Sequence, residues 1–243
     1  MPSPDSKAAG GLLAGDTRHG PLPLLLLVLT FVTGVVDAVS YLKLGHVFVA
    51  NMTGNVVFLG FAAGGAEELS VVATLAAIGS FFVGALAGGR LGSNARQHRG
   101  RFLALSTYAE FAAVGAALVV SLASFGTGGG ISAYALVVLL AFAMGLQNAT
   151  ARRLGVPDLT TTVLTLTVTG LAADSRLAGG SNPNTGRRVL ATVAMLAGAL
   201  AGSVLILRVS LSAALALAAT LLALNAIAGY RLSSSSAAWT TAK

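Results

Sequence analysis

Residues 21–64 read PLPLLLLVLTFVTGVVDAVSYLKLGHVFVANMTGNVVFLGFAAG. A first apolar run, Pro21 to Leu42, is followed after a short joint by a second, Met52 to Gly64. The hydrocarbon core of a bilayer is about 30 Å thick and asks for about 20 apolar residues per crossing helix. The first run meets that length and predicts a transmembrane span. The second has only about thirteen residues, in the range of re-entrant or interfacial segments. This order, a full span and then a short apolar helix, decides how the rest of the chain is read.

Working outward, five more runs reach full length: Ser70 to Gly89, Phe102 to Ala123, Ile131 to Ala151, Val189 to Leu207 and Ser210 to Gly229. One more is short, Thr160 to Ala173. Gly64-Gly65, Gly126 to Gly130 and Ser181-Asn182-Pro183-Asn184 read as turns. The joint near Arg208 carries no Gly, Pro or Asn and is the weakest of the boundaries. Of the 243 residues, 55% are hydrophobic and 9% charged, with a mean hydropathy of +0.83. Soluble domains carry roughly a quarter charged residues, so this balance disfavours a soluble enzyme or a nucleic-acid-binding module and makes lipid the solvent. There is no cysteine, hence no disulfide or thiolate metal site.

The net charge of +7 comes from Lys and Arg placed in connectors between apolar runs. With six spans and a cytoplasmic N-terminus, thirteen basic residues (Lys7, Arg18, Arg90, Arg96, Arg99, Arg101, Arg152, Arg153, Arg176, Arg187, Arg188, Arg231 and Lys243) fall inside. Only Lys43 and Arg208 fall outside. Eight spans divide the same charges seven to eight, with no bias. The positive-inside rule therefore selects six spans plus two re-entrant segments. Residues 1–20 and 231–243 are polar, without apolar periodicity, and read as disordered cytoplasmic tails. The first run begins too far from Met1 for a short signal peptide and lacks a small-residue cleavage site.

The chain also repeats itself at 111 to 114 residues: Gly84-Ala85-Leu86-Ala87-Gly88 recurs as Gly198-Ala199-Leu200-Ala201-Gly202, and Gly34 to Asp37 aligns with Gly145 to Asn148. That second match, and that of Thr53 with Thr165, are softer than the pentapeptide. Each half has the order long, short, long, long, giving repeat 1 over 21–125 and repeat 2 over 131–230. Three spans per half turn the second half upside down. The expected fold is an all-α integral membrane protein of six transmembrane helices and two re-entrant half-helices, arranged as two inverted-topology repeats. In such folds interrupted helices near the pseudo-twofold commonly form the site.

Asp37 and Glu110 are acidic residues inside apolar spans, where a charge costs at least about 2.5 to 3.5 kcal/mol. One reading makes each a proton or cation relay; the other makes each a carboxyl hydrogen-bonded across helices, or for Asp37 one reached by interfacial water. Asn51, Thr53, Gly54 and Asn55 open the first short run, whose N-terminal N–H groups either bind a polar or anionic group or are capped by these side chains. The second short run carries Thr160, Thr161, Thr162 and Thr165 after Asp158, which reads as an N-cap. Gln147 and Asn148 end the fourth span beside Arg152 and Arg153, either gating a pathway or standing next to topology anchors. The pairs Gly84/Gly88 and Gly198/Gly202 are GxxxG motifs that allow close helix packing. Tyr41, Tyr134 and Tyr230 sit at span ends, as an interfacial belt places them. His19, His46 and His98 lie outside the spans, and no nucleophile motif, phosphate loop or metal-ligand spacing occurs. No catalytic residue, metal or cofactor is assigned.

The stretch Gly34-Val35-Val36-Asp37-Ala38-Val39-Ser40-Tyr41-Leu42, followed by Gly45 to Asn55, closely resembles the signature of the YoaK family of bacterial inner-membrane proteins. Gly145-Leu146-Gln147-Asn148-Ala149 and Thr161-Thr162-Val163-Leu164-Thr165 are similar too, so the resemblance covers roughly residues 21 to 230. It implies a multi-pass membrane protein and brings no activity. It singles out Asp37, Asn51, Thr53, Gly54, Asn55, Gln147 and Asn148. After the second-half Thr the family pattern leads one to expect Gly, and this chain has Leu166.

The functional expectation is a small-solute transporter or channel in the bacterial inner membrane, with its site at the repeat interface. Its partners are the bilayer and a small solute or ion, and no nucleic acid. The competing reading is a membrane scaffold that binds another protein through its GxxxG faces. Topology is checked with Glu67→Cys, Gln97→Cys and Asn184→Cys, probed in intact cells with a membrane-impermeant thiol reagent. Six spans predict labelling at position 67 only; labelling at position 97 only means eight.

Overall fold

The computed structural model describes residues 18–66, 69–94, 98–123, 130–181, 184–234 and 238–241. Positions 67 and 97, the Gly126 turn, Asn182-Pro183 and the first 17 residues lie outside them. Eight α-helices are described: α1 (Leu22–Lys43), α2 (Met52–Ala63), α3 (Val71–Asn94), α4 (Arg99–Ala123), α5 (Gly130–Leu154), α6 (Thr165–Ala173), α7 (Thr185–Arg208) and α8 (Leu211–Ser233). Six of them, α1, α3, α4, α5, α7 and α8, are long and apolar enough to cross a membrane. At 1.5 Å per residue, the 12-residue α2 and 9-residue α6 are about 18 and 14 Å long, well short of a bilayer core.

Local chemistry sets the boundaries. The α7–α8 joint is a true break: the backbone turns at Val209, and Ser210 caps α8 by accepting a hydrogen bond from Ala213 N at 3.0 Å. Serine was the missing signal at that joint. The second short helix starts at Thr165, five residues later than the apolar run predicts. Thr161 takes a left-handed φ of 65°, and the stretch before Thr165 is held by side chains of α5 instead of by helical hydrogen bonds. The C-terminal reading also changes. Helix continues to Ser233, and a 3-10 turn at Ala238–Thr240 carries a buried Trp239 against Gly20 and Gly100, where a Cβ would meet the indole.

Burial sorts the spans into layers. In α1 and α5, 72% and 56% of the apolar window is buried, against 28% in α3 and 22% in α7, so α1 and α5 are the inner helices. The outer two present Leu75, Phe82 and Val83, and Leu196, Leu200 and Leu207, as the lipid-facing surface. α3 packs on α5, α7 on α1, and α4 on α8; α4 also lies against α5, and α8 against α1.

Glycine permits the two tightest crossings. A Cβ at Gly84 would collide with the Phe142 carbonyl of α5, and one at Gly145 with the Phe81 carbonyl of α3. At the other crossing, Gly198 meets the Phe31 carbonyl of α1 and Gly34 the Met195 carbonyl of α7 in the same way. Gly88 and Gly202 extend these contacts one turn further, onto Leu146 and Ala149 and onto Val35 and Ala38. Backbones this close leave no room for a methyl group and compensate with dispersion contacts, the main attraction between helices in lipid.

Gly84→Ala or Gly198→Ala is expected to cost about 1–3 kcal/mol through overpacking, read as a lower melting temperature in detergent. Gly79→Ala, where nothing lies within 4 Å of the new Cβ, is expected to leave it unchanged or raise it.

Candidate functional site

The first conspicuous site lies where α1 hands over to α2. Asp37, on the last turns of α1, accepts hydrogen bonds through Oδ1 from Val49 N (3.2 Å) and Ala50 N (3.0 Å). Asn55, fully buried, accepts from Phe48 N at 2.9 Å and donates through Nδ2 to Phe48 O at 2.6 Å. Asn51 caps α2 by accepting from Gly54 N at 3.3 Å. Four backbone groups of the loop 44–51, Phe48 N and O, Val49 N and Ala50 N, are therefore satisfied by side chains. Tyr41 stacks on Phe48 (5.0 Å between centroids), and Phe48 on Phe58 (5.7 Å), tying α2 back to α1. Gly54 leaves room for the Phe48 ring, which a Cβ would meet at 3.0 Å. Thr53 remains exposed.

A second loop, before α6, is organised from α5. Asn148 Nδ2 donates to Thr162 Oγ1 at 2.7 Å, and Gln147 Nε2 donates to Thr161 Oγ1 at 3.0 Å and to Thr33 Oγ1 of α1 at 2.8 Å. Gln147 thus joins α1, α5 and the loop at the centre of the bundle. Asp37 and Asn148 occupy positions 111 residues apart, and each holds the loop in front of a short helix. Thr165, the first residue of α6, is exposed and makes no cap; the N-cap position is Leu164, with no side-chain hydrogen bond.

Asp158 is not the N-cap that its place before the threonines predicts. It accepts from Arg188 Nε at 2.9 Å, while Arg188 Nη1 reaches Asp174 Oδ2 at 2.7 Å and Gly170 O at 2.6 Å. This nearly buried guanidinium fastens α7 to the loop before α6 and to the C-terminal end of α6, a role hidden in a sequence where Arg188 counts only as a connector charge. Its planar fork serves several acceptors at once.

Between α3 and α5 lies a cleft of about 630 Å³ lined by Phe81, Ala85 and Gly89 on one side and Asn148, Arg152 and Arg153 on the other. Glu110 belongs to neither loop nor to this cleft. It is fully buried on α4, and neither carboxyl oxygen has a hydrogen-bond partner. Ser106, Thr107 and Asn225, which sequence reading passed over, are buried and unpartnered as well. Their signal was present as two hydroxyls four and three residues before Glu110 on one apolar helix and a lone Asn in another. Among the described residues, no group of three or more His, Cys, Asp or Glu side chains is placed to hold a metal ion.

Residues 25–228 match the family described as "Protein of unknown function (DUF1275)". The chain belongs to the DUF1275 family. It is 34% identical over 155 residues to the UPF0700 transmembrane protein YoaK of Bacillus subtilis (strain 168), covering 62% of this chain and 65% of that protein. The chain therefore spans just under two thirds of that relative's length. No solved structure matches it. This DUF1275 chain is thus a bacterial multi-pass membrane protein, and neither its family description nor any sequence motif assigns it catalysis.

In this DUF1275 chain Arg188→Met leaves two carboxylates without their cation, one of them mostly buried. A loss of about 3 kcal/mol is expected, read as a fall in melting temperature that Arg188→Lys only partly restores. Asp37→Asn keeps an acceptor for Val49 and Ala50 and is expected to fold like the parent. Asp37→Leu strands both N–H groups and is expected to cost about 1–3 kcal/mol.

Proposed function

We propose that this DUF1275 protein is a small-solute transporter or channel of the bacterial inner membrane, with both termini cytoplasmic. In this reading residues 21–125 and 131–230 are two inverted-topology repeats, and α2 and α6 are re-entrant half-helices meeting the solute at the repeat interface. The observation that carries it is the matched anchoring of the two short helices: Asp37 on the loop before α2 and Asn148 on the loop before α6, 111 residues apart. The two glycine crossings support the same reading, because Gly84 on Phe142 and Gly198 on Phe31 are equivalent contacts displaced by 114 and 111 residues.

Roles divide between frame and contact. Asp37, Asn51, Asn55 and Gln147 hold the loops through the hydrogen bonds described above, and Gly54 lets the aromatic stack close. Thr53 and Thr165, exposed in the first turns of α2 and α6, are left to meet a solute. Asn148 faces the α3–α5 cleft together with Arg152 and Arg153, which favours a polar or anionic solute. The scaffold reading loses its main support, since both GxxxG faces are used inside the bundle.

The test is flux in proteoliposomes loaded with a panel of small metabolites and ions, with and without a proton gradient. One solute class is expected to move, and Thr53→Val with Thr165→Val to slow it by about tenfold or more, the scale of losing hydrogen bonds worth about 1.4 kcal/mol. No flux of any solute, together with no cellular effect of Asp37→Asn, rejects the transporter reading.

A further inference from the structure

Among the described residues, the buried side-chain N and O atoms without a hydrogen-bond partner belong to five residues: Ser106, Thr107, Glu110, Gln147 and Asn225. They are not scattered. Ser106 and Thr107 stand four and three residues before Glu110, so all three share one face of α4. Three contacts set the antiparallel register of α4 on α8: Gly100 faces Ser233, Ala104 faces Gly229, and the Ser121 and Ser212 hydroxyls are 2.9 Å apart. In each pair the two residue numbers have the same sum, as constant register requires. That register puts Asn225 opposite position 108, about 3 Å along the axis from both Ser106 and Glu110. Arg99 Nη2 donates to Leu154 O at 2.6 Å, fastening the start of α4 to the end of α5; Gln147 lies on α5, the other helix packed on α4.

The two hydroxyls behave unlike others in this chain. Thr30, Thr33, Thr74, Thr150, Thr192 and Thr220 each bond back to the carbonyl four residues earlier, the ordinary way for a helical threonine to satisfy itself in an apolar setting. Ser106 and Thr107 do not, although both are fully buried. Nothing cationic faces Glu110. α3 carries no ionisable group from Val71 to Gly89, α5 none from Ala135 to Ala151, and α8 none from Leu211 to Gly229; on α4 itself, Tyr108 is 41% exposed. A bare carboxylate in such a layer is untenable; it needs a proton or a cation.

We propose that Glu110, Ser106, Thr107 and Asn225 form a binding site for a monovalent alkali cation in the α4–α8 seam, at which a proton on Glu110 competes. The donor set is two carboxylate oxygens, two hydroxyls and an amide carbonyl, hard oxygen ligands that suit an alkali cation and not a soft metal. One positive charge neutralises Glu110, whereas a divalent ion leaves a net charge in the membrane interior. The inference stands apart from the solute reading, because binding is measured on purified protein without a gradient or a transported solute.

The experiment is radiolabelled Na⁺ binding and melting temperature of the full-length protein in detergent, in NaCl against choline chloride of equal ionic strength, at mildly alkaline and at acidic pH. Saturable Na⁺ binding with a raised melting temperature is expected at alkaline pH, and both weaken in acid because the cation needs an ionised Glu110. Glu110→Gln is expected to abolish the response and Ser106→Ala to weaken affinity by about tenfold. Ser121→Ala, in the same seam but at its other end, is expected to leave it unchanged. K⁺ acting in place of Na⁺ keeps the assignment. Should Glu110→Gln fail to fold, Ser106→Ala and Asn225→Ala carry the test. The proposal is overturned if the wild type responds equally to Na⁺ and choline at both pH values. It is overturned equally if Na⁺ binding survives the seam substitutions undiminished, or if only Mg²⁺ gives the response.

Discussion

Everything in this bundle depends on how closely four helices approach at two glycine crossings. Gly84 and Gly145 bring α3 and α5 to carbonyl contact, and Gly34 and Gly198 do the same for α1 and α7. In lipid there is no hydrophobic gain from burying leucine against leucine, so packing contact must supply the attraction. Each inner helix is thereby clasped to an outer one. With α1 and α5 fixed, their polar ends, Asp37 and Gln147-Asn148, reach the loops in front of α2 and α6. A methyl group at a crossing would push those ends away from the N–H and hydroxyl groups they hold.

The loops show why those polar residues stand where they do. A chain that leaves a span and enters a short helix has backbone N–H groups without helical partners, and each one buried unsatisfied costs several kcal/mol. Asp37 and Asn55 answer that demand before α2. Before α6 the loop is held differently, by side-chain bonds from Gln147 and Asn148 to the Thr161 and Thr162 hydroxyls and by the Thr160 hydroxyl on Val163 O, with Arg188 closing the far side through Asp158 and Asp174. The most conspicuous polar motif in the sequence is therefore in large part scaffolding, and a substitution there reads first as a folding change. Thr53 and Thr165 are the members of that set whose exposure leaves them free of this duty.

Much of the architecture was legible because membrane physics constrains it tightly. Run length separated six spans from two short helices, since length against bilayer thickness is a single comparison. The start of α6 was misread for a reason that composition conceals: Thr160 to Leu164 is apolar enough to continue a helix, but Thr161 and Thr162 are drawn off by Gln147 and Asn148. Those partners lie fourteen residues away on another element, beyond any local pattern. Arg188 was hidden likewise, because a basic residue at a span end is ordinarily a topology signal. Trp239 was assigned to a tail because its partners, Gly20 and Gly100, are remote in sequence.

The polar layer on α4 and α8 marks the sharper limit. Glu110 stood out by charge alone, while Ser106 and Thr107 look like any hydroxyls in an alanine-rich helix, where back-bonding to the i−4 carbonyl makes them inert. What separates them from Thr30 or Thr150 is that this bond is not made, a fact of rotamer and packing that no sequence pattern encodes. Asn225 becomes meaningful only through the register that sets it at the height of Glu110. The same comparison distinguishes the two polar regions physically. Around Asp37 the side chains satisfy the backbone, and the structure is complete without any further group. Around Glu110 donors and acceptors share one layer without satisfying one another, and a layer left in that condition costs stability unless something else occupies it.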